Sequence, residues 1–346
     1  TDVQSLSVTQ QPVGTTVDSA PTMTVASEAV NTEPTEPVST EPPIADHLMK
    51  VASDSFEGEI HSIEGAFRAI QLKTYNKHPE VEALYSWLFG KIQGEDSEWS
   101  AYEGGDSPEV LLDEQAAFVA AGQGDLSPDR SYDLSRDGDA FVATSRTING
   151  LKITKQYEIQ DNPSLVDVIV RFENQSNQSI RDLWVGVSSI LDGEAGQYAN
   201  VKRPFALVAE DIERVDDLSE LEGSAYERFE GQLSWFGMSD KYFMSVLVPL
   251  EETGGEWIVD EISDGRISSA LRMTQPLDAG ASREARFLAY IGPKDLDQLK
   301  EVGHDLDQSI EFGIFGMFSR ILLALLKFYH GIAGNWGVAI ILLTLT

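Results

Sequence analysis

The chain has 346 residues, and its 57 acidic and 25 basic residues give a formal net charge of −32. This charge excludes a general nucleic-acid binder, which needs a basic face, and it disfavours a protein lying flat on an anionic membrane surface. The chain contains no cysteine, which excludes disulfides, thiolate nucleophiles and cysteine-ligated metal sites. The length is enough for one large or two ordinary domains.

The N-terminal region has the composition of a disordered segment. Residues 1–46 contain acids but no lysine, arginine or aromatic residue, and Thr32–Pro43 is the run TEPTEPVSTEPP. Such a segment cannot bury enough apolar surface to offset its ordering entropy. We therefore expect an acidic, proline- and threonine-rich tether over residues 1–52. Residues 1–13 lack the basic and apolar parts of a signal peptide, so an exported protein would need further sequence upstream.

From Phe56 onwards the hydrophobic pattern acquires the period of two that is typical of strands. Asn149-Gly150 predicts a tight hairpin turn, residues 84–92 fit either a helix or a strand, and the acid-rich residues 203–230 predict a loop. Regular strands with turns between them indicate a β-sandwich or barrel, which we place at 53–292. The predicted strands are 66–73, 139–148, 151–159, 165–172, 180–191, 233–235, 242–248, 257–259, 267–273 and 285–290.

A packing helix is predicted at 293–311, after the β-rich body. Gly292-Pro293 would open it, with proline at the first helical position. Its apolar side chains recur with helical spacing on one face, at Leu296, Leu299, Val302, Leu306 and Ile310. This face would pack on the sandwich.

The final stretch, from Phe312 to Thr346, contains no acid. Residues 312–334 predict an amphipathic helix at a membrane interface, with a wide apolar face and a narrow stripe that carries two cations. Residues 335–346 are uncharged but shorter than the roughly 20 residues of a span, so we expect the start of a transmembrane helix that continues past Thr346. The alternative is a helical hairpin buried in a soluble core. The candidate interface residues are Phe315, Phe318, Arg320, Leu322, Leu325, Leu326, Lys327 and Trp336, and the candidate hinge residues are Gly331 and Gly334.

No motif in the sequence indicates catalysis, a cofactor or a metal site. No two of the five histidines have the spacing of metal ligands or lie in the context of a catalytic triad. Gly122-Gln123-Gly124 lacks the third glycine of a dinucleotide loop. We therefore assign no catalytic, cofactor-binding or metal-binding residue.

Three stretches resemble one protein family, the YidC-type bacterial membrane protein insertases, in the large periplasmic domain of their Gram-negative members. They are LSWFGMSDKYFMSVLVP from Leu233, YIGPKDLDQL from Tyr290, and LDQSIEFGIFGMFSRILLALLKFYHGIAGNWGVAIILLTLT up to Thr346. The tripeptide Asn335-Trp336-Gly337 at the start of the last helix is the most specific match. Together the stretches cover under a third of the chain, in the expected order.

The resemblance implies a twisted β-sandwich of the galactose-mutarotase type, a supersandwich followed by C-terminal α-helices. It implies an inner-membrane insertase and chaperone that needs no cofactor and assists the insertion and folding of membrane proteins. This mostly periplasmic region would have a structural or partner-docking role. The implied partners are the lipid bilayer, nascent membrane proteins and, as a further candidate, Sec translocon components. The intramembrane groove and its arginine would lie past Thr346.

A second hypothesis is a sugar-binding or mutarotase-like module of the cell envelope. It would use exposed aromatic residues such as Trp99, Trp184 and Trp235, and His61 with His78 as the only histidine pair in the β body. Because one fold hosts many functions, the fold class alone does not support this activity. A lipoprotein-like or adhesin-like binder is a third hypothesis, which the absence of a lipidation cysteine disfavours.

Overall fold

The computed structural model describes residues 47–76, 108–112, 116–124, 126, 130–190, 202–215, 227–229, 231–251, 254–263, 266–310 and 316–345. The predicted tether up to residue 46, the ambiguous segment 84–92, His78 and Trp99 lie outside these residues. The strands in the described part of the chain form two nine-stranded sheets in which all neighbouring strands are antiparallel.

The first sheet contains strands from both halves of the β body. Its order is β1-β2-β3-β5-β10-β17-β16-β13, and β4 also pairs with β3. The strands are β1 (Leu48–Ala52), β2 (Phe56–His61), β3 (Phe67–Asn76), β4 (Pro108–Leu112), β5 (Ala117–Gln123), β10 (Leu183–Ile190), β13 (Glu227–Phe229), β16 (Gly255–Ser263) and β17 (Arg266–Met273).

The second sheet has the order β12-β11-β14-β15-β18-β9-β8-β7-β6. Its strands are β6 (Tyr132–Asp137), β7 (Ala140–Ser145), β8 (Leu151–Ile159), β9 (Leu165–Asn174), β11 (Arg203–Val208), β12 (Asp211–Arg214), β14 (Leu233–Ser239), β15 (Phe243–Pro249) and β18 (Ser282–Pro293).

The main core lies between the two sheets. Phe67 of β3 meets Tyr157 of β8 edge to face, with ring centroids 4.9 Å apart, and Trp257 and Phe287 are buried in the same core. The Asn149-Gly150 turn has φ angles of 52° and 79°, the left-handed pair that a two-residue hairpin requires. Both the β-sandwich fold class and this hairpin are therefore confirmed.

The helix after β18 begins later than the sequence predicts. Pro293 ends β18, and α1 (Leu296–Val302) begins after Asp295, whose Oδ1 accepts hydrogen bonds from the backbone N–H groups of Asp297 and Gln298, both at 3.0 Å. This carboxylate caps the helix N-terminus, so a proline at the first position is not needed. The helix stops at Gly303, where φ is 78°, and a 3₁₀ turn follows at Leu306–Ser309.

Two predicted boundaries in the β body are wrong. Residues 48–52 belong to β1 rather than to the tether, because Val51 is buried in the main core and β1 pairs with β2. The predicted loop 203–230 contains β11, β12 and β13. Its apolar run from Phe205 to Val208 is buried in β11. The loop prediction was wrong because it relied on the many acids of the whole segment and overlooked this short apolar run.

Candidate functional site

The chain after residue 315 folds as a helical hairpin. The first helix, α2 (Gly316–Ala333), lies within the segment 312–334 that the sequence predicts as helical, and α3 (Trp336–Thr344) follows at once. Gly334 has a φ of 64°, and its N–H donates to the His330 carbonyl at 2.7 Å. Gly331 remains inside α2, so the change of direction falls at Gly334.

The turn between the two helices is held by side chains as well as by backbone. Asn335 caps α3, because its Oδ1 accepts hydrogen bonds from the N–H groups of Gly337 at 2.8 Å and Val338 at 3.3 Å. The rings of His330 and Trp336 stack across the turn, with centroids 3.8 Å apart and an angle of 12° between their planes. These contacts define the angle at which the two helices leave the turn.

One face of α2 is apolar and open to solvent. Ile321, Phe328 and Ile332 recur at i, i+7 and i+11, which places them in one row along the helix. They are 55%, 61% and 69% exposed, and the neighbouring Leu322 is 50% exposed. Single exposed apolar side chains are ordinary on protein surfaces, whereas a contiguous row of large ones marks an interaction surface. We call Ile321, Phe328 and Ile332, together with Leu322 about 100° around the helix from Ile321, the apolar row.

The predicted interface residues divide into three groups. Leu322 and Trp336 are exposed, whereas Leu325, Leu326 and Lys327 are partly buried. Phe318 and Arg320 lie within α2, but their side chains are not among those described, and Phe315 lies outside the described residues. The sequence analysis missed three members of the apolar row, although the i, i+7, i+11 spacing was a signal that could have found them.

An ion pair joins this hairpin to the helix that packs on the sandwich. Lys327 Nζ of α2 donates a hydrogen bond to Asp297 Oδ2 of α1. This bond and the lysine charge hold the pKa of Asp297 below its ordinary value. The α1 helix is itself fixed, because Leu299 is buried with Trp235 and Tyr290 on the outer face of the second sheet.

No helix in the described part of the chain combines the length and the apolar character that crossing a bilayer requires. The α3 helix is uncharged but is only 9 residues long. The α2 helix carries Arg320 and Lys327.

The described residues do not form the sugar-binding site that the second hypothesis predicts. The prediction that Trp184 and Trp235 are exposed is wrong, since both are fully buried. Trp235 packs on Phe205, with ring centroids 4.8 Å apart, beneath the α1 region. His61 lies 3.3 Å from Glu59, and no group of three potential metal ligands occurs among the described residues.

A polar cavity of about 390 Å³ lies where three turns of the sandwich meet. Asn149, Ser176, Asn177 and Gln178 contribute to its wall, and the described residues that line it include no aromatic ring and no histidine. These residues therefore provide neither the stacking surface nor the acid–base groups that a mutarotase-like site would need.

The family comparison matches residues 48–325 to the YidC periplasmic domain. A membrane protein insertase YidC from Anaeromyxobacter sp. (strain K) is 27% identical over 310 residues, covering 86% of this chain and 54% of the relative. Its counterpart from Nitrosomonas eutropha is 25% identical over 308 residues, covering 86% and 48%. The chain thus spans about half the length of these curated relatives.

Solved structures give a much weaker likeness. A galactose mutarotase-like protein from Lactobacillus casei has a TM-score of 0.43 and 8% identity, with 71% of this chain and 100% of that chain covered. A putative aldose 1-epimerase from Escherichia coli K12 has a TM-score of 0.42 and 7% identity, with 71% and 99% covered. Likeness at this level carries no functional argument. The family match, which covers most of the chain, shows that this chain belongs to the YidC periplasmic domain family.

Proposed function

We propose that this chain is the periplasmic part of an inner-membrane insertase that assists the insertion and folding of membrane proteins. Membership of the family and the names of its relatives support this proposal. The role of this part is non-catalytic and needs no cofactor. The sandwich positions and docks partner proteins, and insertion itself is carried out by the part of the insertase that lies within the membrane. Its partners are the bilayer, nascent membrane proteins and Sec translocon components.

The specific task that we propose for the hairpin is to seat the β body on the bilayer. The observation that carries this proposal is the exposed apolar row of α2, in a stretch without acids, on a chain of net charge −32. Burying each Leu, Ile or Phe contributes about 1.5–3 kcal/mol, whereas each cation near an anionic leaflet contributes about 1 kcal/mol. Burial therefore dominates binding, and the cations determine orientation.

The α3 helix continues this arrangement into the membrane. It is uncharged along its whole length, and Val338, Ile340 and Ile341 are exposed. Trp336 lies at its start and is 51% exposed, a position suited to the aromatic belt between headgroups and acyl chains. We propose that α3 is the beginning of a transmembrane helix and that Gly334 is where the chain turns from the interface into the bilayer.

The test replaces Leu322 and Phe328 by aspartate in the full-length protein. We expect loss of insertion activity with unchanged melting of the β body, because the apolar row is not part of the protein core. The matched control is Ile148→Asp with Leu250→Asp, which puts the same charges at exposed apolar positions of the sandwich. Unchanged insertion in the α2 variant would refute the proposal that the hairpin seats the β body on the bilayer, and a lowered melting temperature would show that the apolar row is part of the protein core.

A further inference from the structure

We infer that the ammonium group of Lys327 has two alternative anionic partners. In the absence of lipid its partner is the Asp297 carboxylate of α1, and on the membrane its partner is the phosphate of an anionic phospholipid. The exchange changes how the hairpin is held against the β body. This inference rests on the proposed function, because it requires α2 to lie on a bilayer.

The first step of the argument is the position of Lys327 on the helix. At 100° per residue, Lys327 lies about 120° around α2 from the row of Ile321, Phe328 and Ile332. When that row faces the acyl chains, Lys327 is at the flank of the helix. A lysine in this position lays its four-carbon stem along apolar surface and extends its charge to the headgroups. Its side chain is 38% exposed in the ion pair, so the ammonium is accessible to a competing anion.

The second step concerns the carboxylate that now holds Lys327. The Asp297 side chain is 71% exposed, and exposed ion pairs are weak and screened by salt. An anionic bilayer offers many phosphates at high local concentration, and it also repels the carboxylate of Asp297. Both effects favour exchange. Lys300, one turn further along α1, also lowers the pKa of Asp297 and would remain its neighbour after exchange.

The third step is the mechanical consequence. The α1 helix stays on the sandwich, because Leu299 and the following Leu306 are buried in the apolar cluster around Trp235. Once Lys327 leaves Asp297, the hairpin loses its ion pair with α1, and this loss favours the orientation that the bilayer imposes. The β body and the membrane-seated helix therefore become less tightly coupled on anionic lipid than in solution.

The experiment measures binding of the 346-residue chain to phosphatidylcholine vesicles with and without phosphatidylglycerol. Asp297→Asn should tighten binding to the anionic vesicles about fivefold, the equivalent of one charge near the leaflet. The matched control, Glu301→Gln, removes the same charge from an exposed position on α1 and should change binding less than about twofold. In a Lys327→Gln background the advantage of Asp297→Asn over Glu301→Gln should vanish.

A second readout follows the hairpin directly. Because the chain has no cysteine, nitroxide labels at Gln298→Cys on α1 and Ala324→Cys on α2 report one distance. We expect a narrow distribution in solution and a broader, longer one on anionic vesicles. Absence of binding to either kind of vesicle would overturn the proposed function and this inference with it. Binding with an unchanged label distance, or equal gains for Asp297→Asn and Glu301→Gln, would overturn the inference alone.

Discussion

Lys155 on β8 of the second sheet donates a hydrogen bond to the backbone carbonyl of Glu64, in the turn before β3 of the first sheet, at 2.5 Å. The same ammonium donates to the Val119 carbonyl of β5 at 2.8 Å and lies 4.7 Å from the centre of the Tyr132 ring. Glu64 and Val119 both have positive φ, at 68° and 66°. The fully buried amine of Lys155 thus connects two distorted segments of the first sheet to the second sheet.

Lys155→Met should destabilise the β body. The change leaves the Glu64 and Val119 carbonyls without their donor, and each unsatisfied buried group costs about 1–3 kcal/mol. We expect a loss of about 2 kcal/mol or more in the free energy of unfolding, measured by chemical denaturation. Lys152→Met, on the same strand with its side chain 34% exposed, should have little effect. An equal loss in both variants would show that the contacts of Lys155 with the first sheet are not its cause.

The same lysine predicts a pH dependence of stability. Burial lowers the pKa of Lys155 from 10.5 to about 7. Between these values the unfolded chain binds more protons at this position than the folded chain, so stability rises with pH across the window from 7 to 10.5. Below pH 7 the lysine is charged in both states and the burial cost is complete. The difference in unfolding free energy between wild type and Lys155→Met should therefore grow in favour of wild type as pH rises through this window.

The two glycines near the hairpin turn should respond in opposite directions to alanine. Gly334→Ala places a side chain at a φ of 64°, a left-handed conformation that costs roughly 1–2 kcal/mol. Gly331→Ala lies in the regular part of α2 with open space around it, where alanine is favoured over glycine by about 1 kcal/mol. Amide exchange across α3 should accelerate in the first variant and not in the second. Similar exchange in both variants would remove Gly334 as the hinge.

Purified protein should not catalyse mutarotation or bind simple sugars. Trp184 and Trp235, two of the three tryptophans that the sugar hypothesis places at the surface, are buried, and His61 contacts Glu59. Polarimetry with galactose and a thermal-shift series with neutral sugars should show no activity and no stabilisation. Mutarotation that His61→Ala abolishes would reverse this conclusion.

Much of the architecture was predictable because it depends on short-range patterns. The period-two alternation located most strands, and Asn149-Gly150 located a hairpin, because turn geometry and side-chain alternation are properties of neighbouring residues. The resemblance around Asn335-Trp336-Gly337 indicated the family for the same reason, since it is carried by contiguous sequence. The acid-free stretch after Phe312 likewise identified the candidate site, although not the three residues at the centre of its apolar row.

The strand pairings, burial and contacts that depend on residues far apart in the chain were determined only by the tertiary structure. It placed β5 beside β10 and β9 beside β18, buried Trp235 under α1, and brought Lys155 to the Glu64 turn and Lys327 to Asp297. The many acids of residues 203–230 predicted a loop, yet pairing with β14 makes Arg203–Val208 a strand. Periodicity shows which side of an element is apolar. The packing of the whole chain determines whether another element covers that apolar side or whether the side is exposed to lipid or solvent.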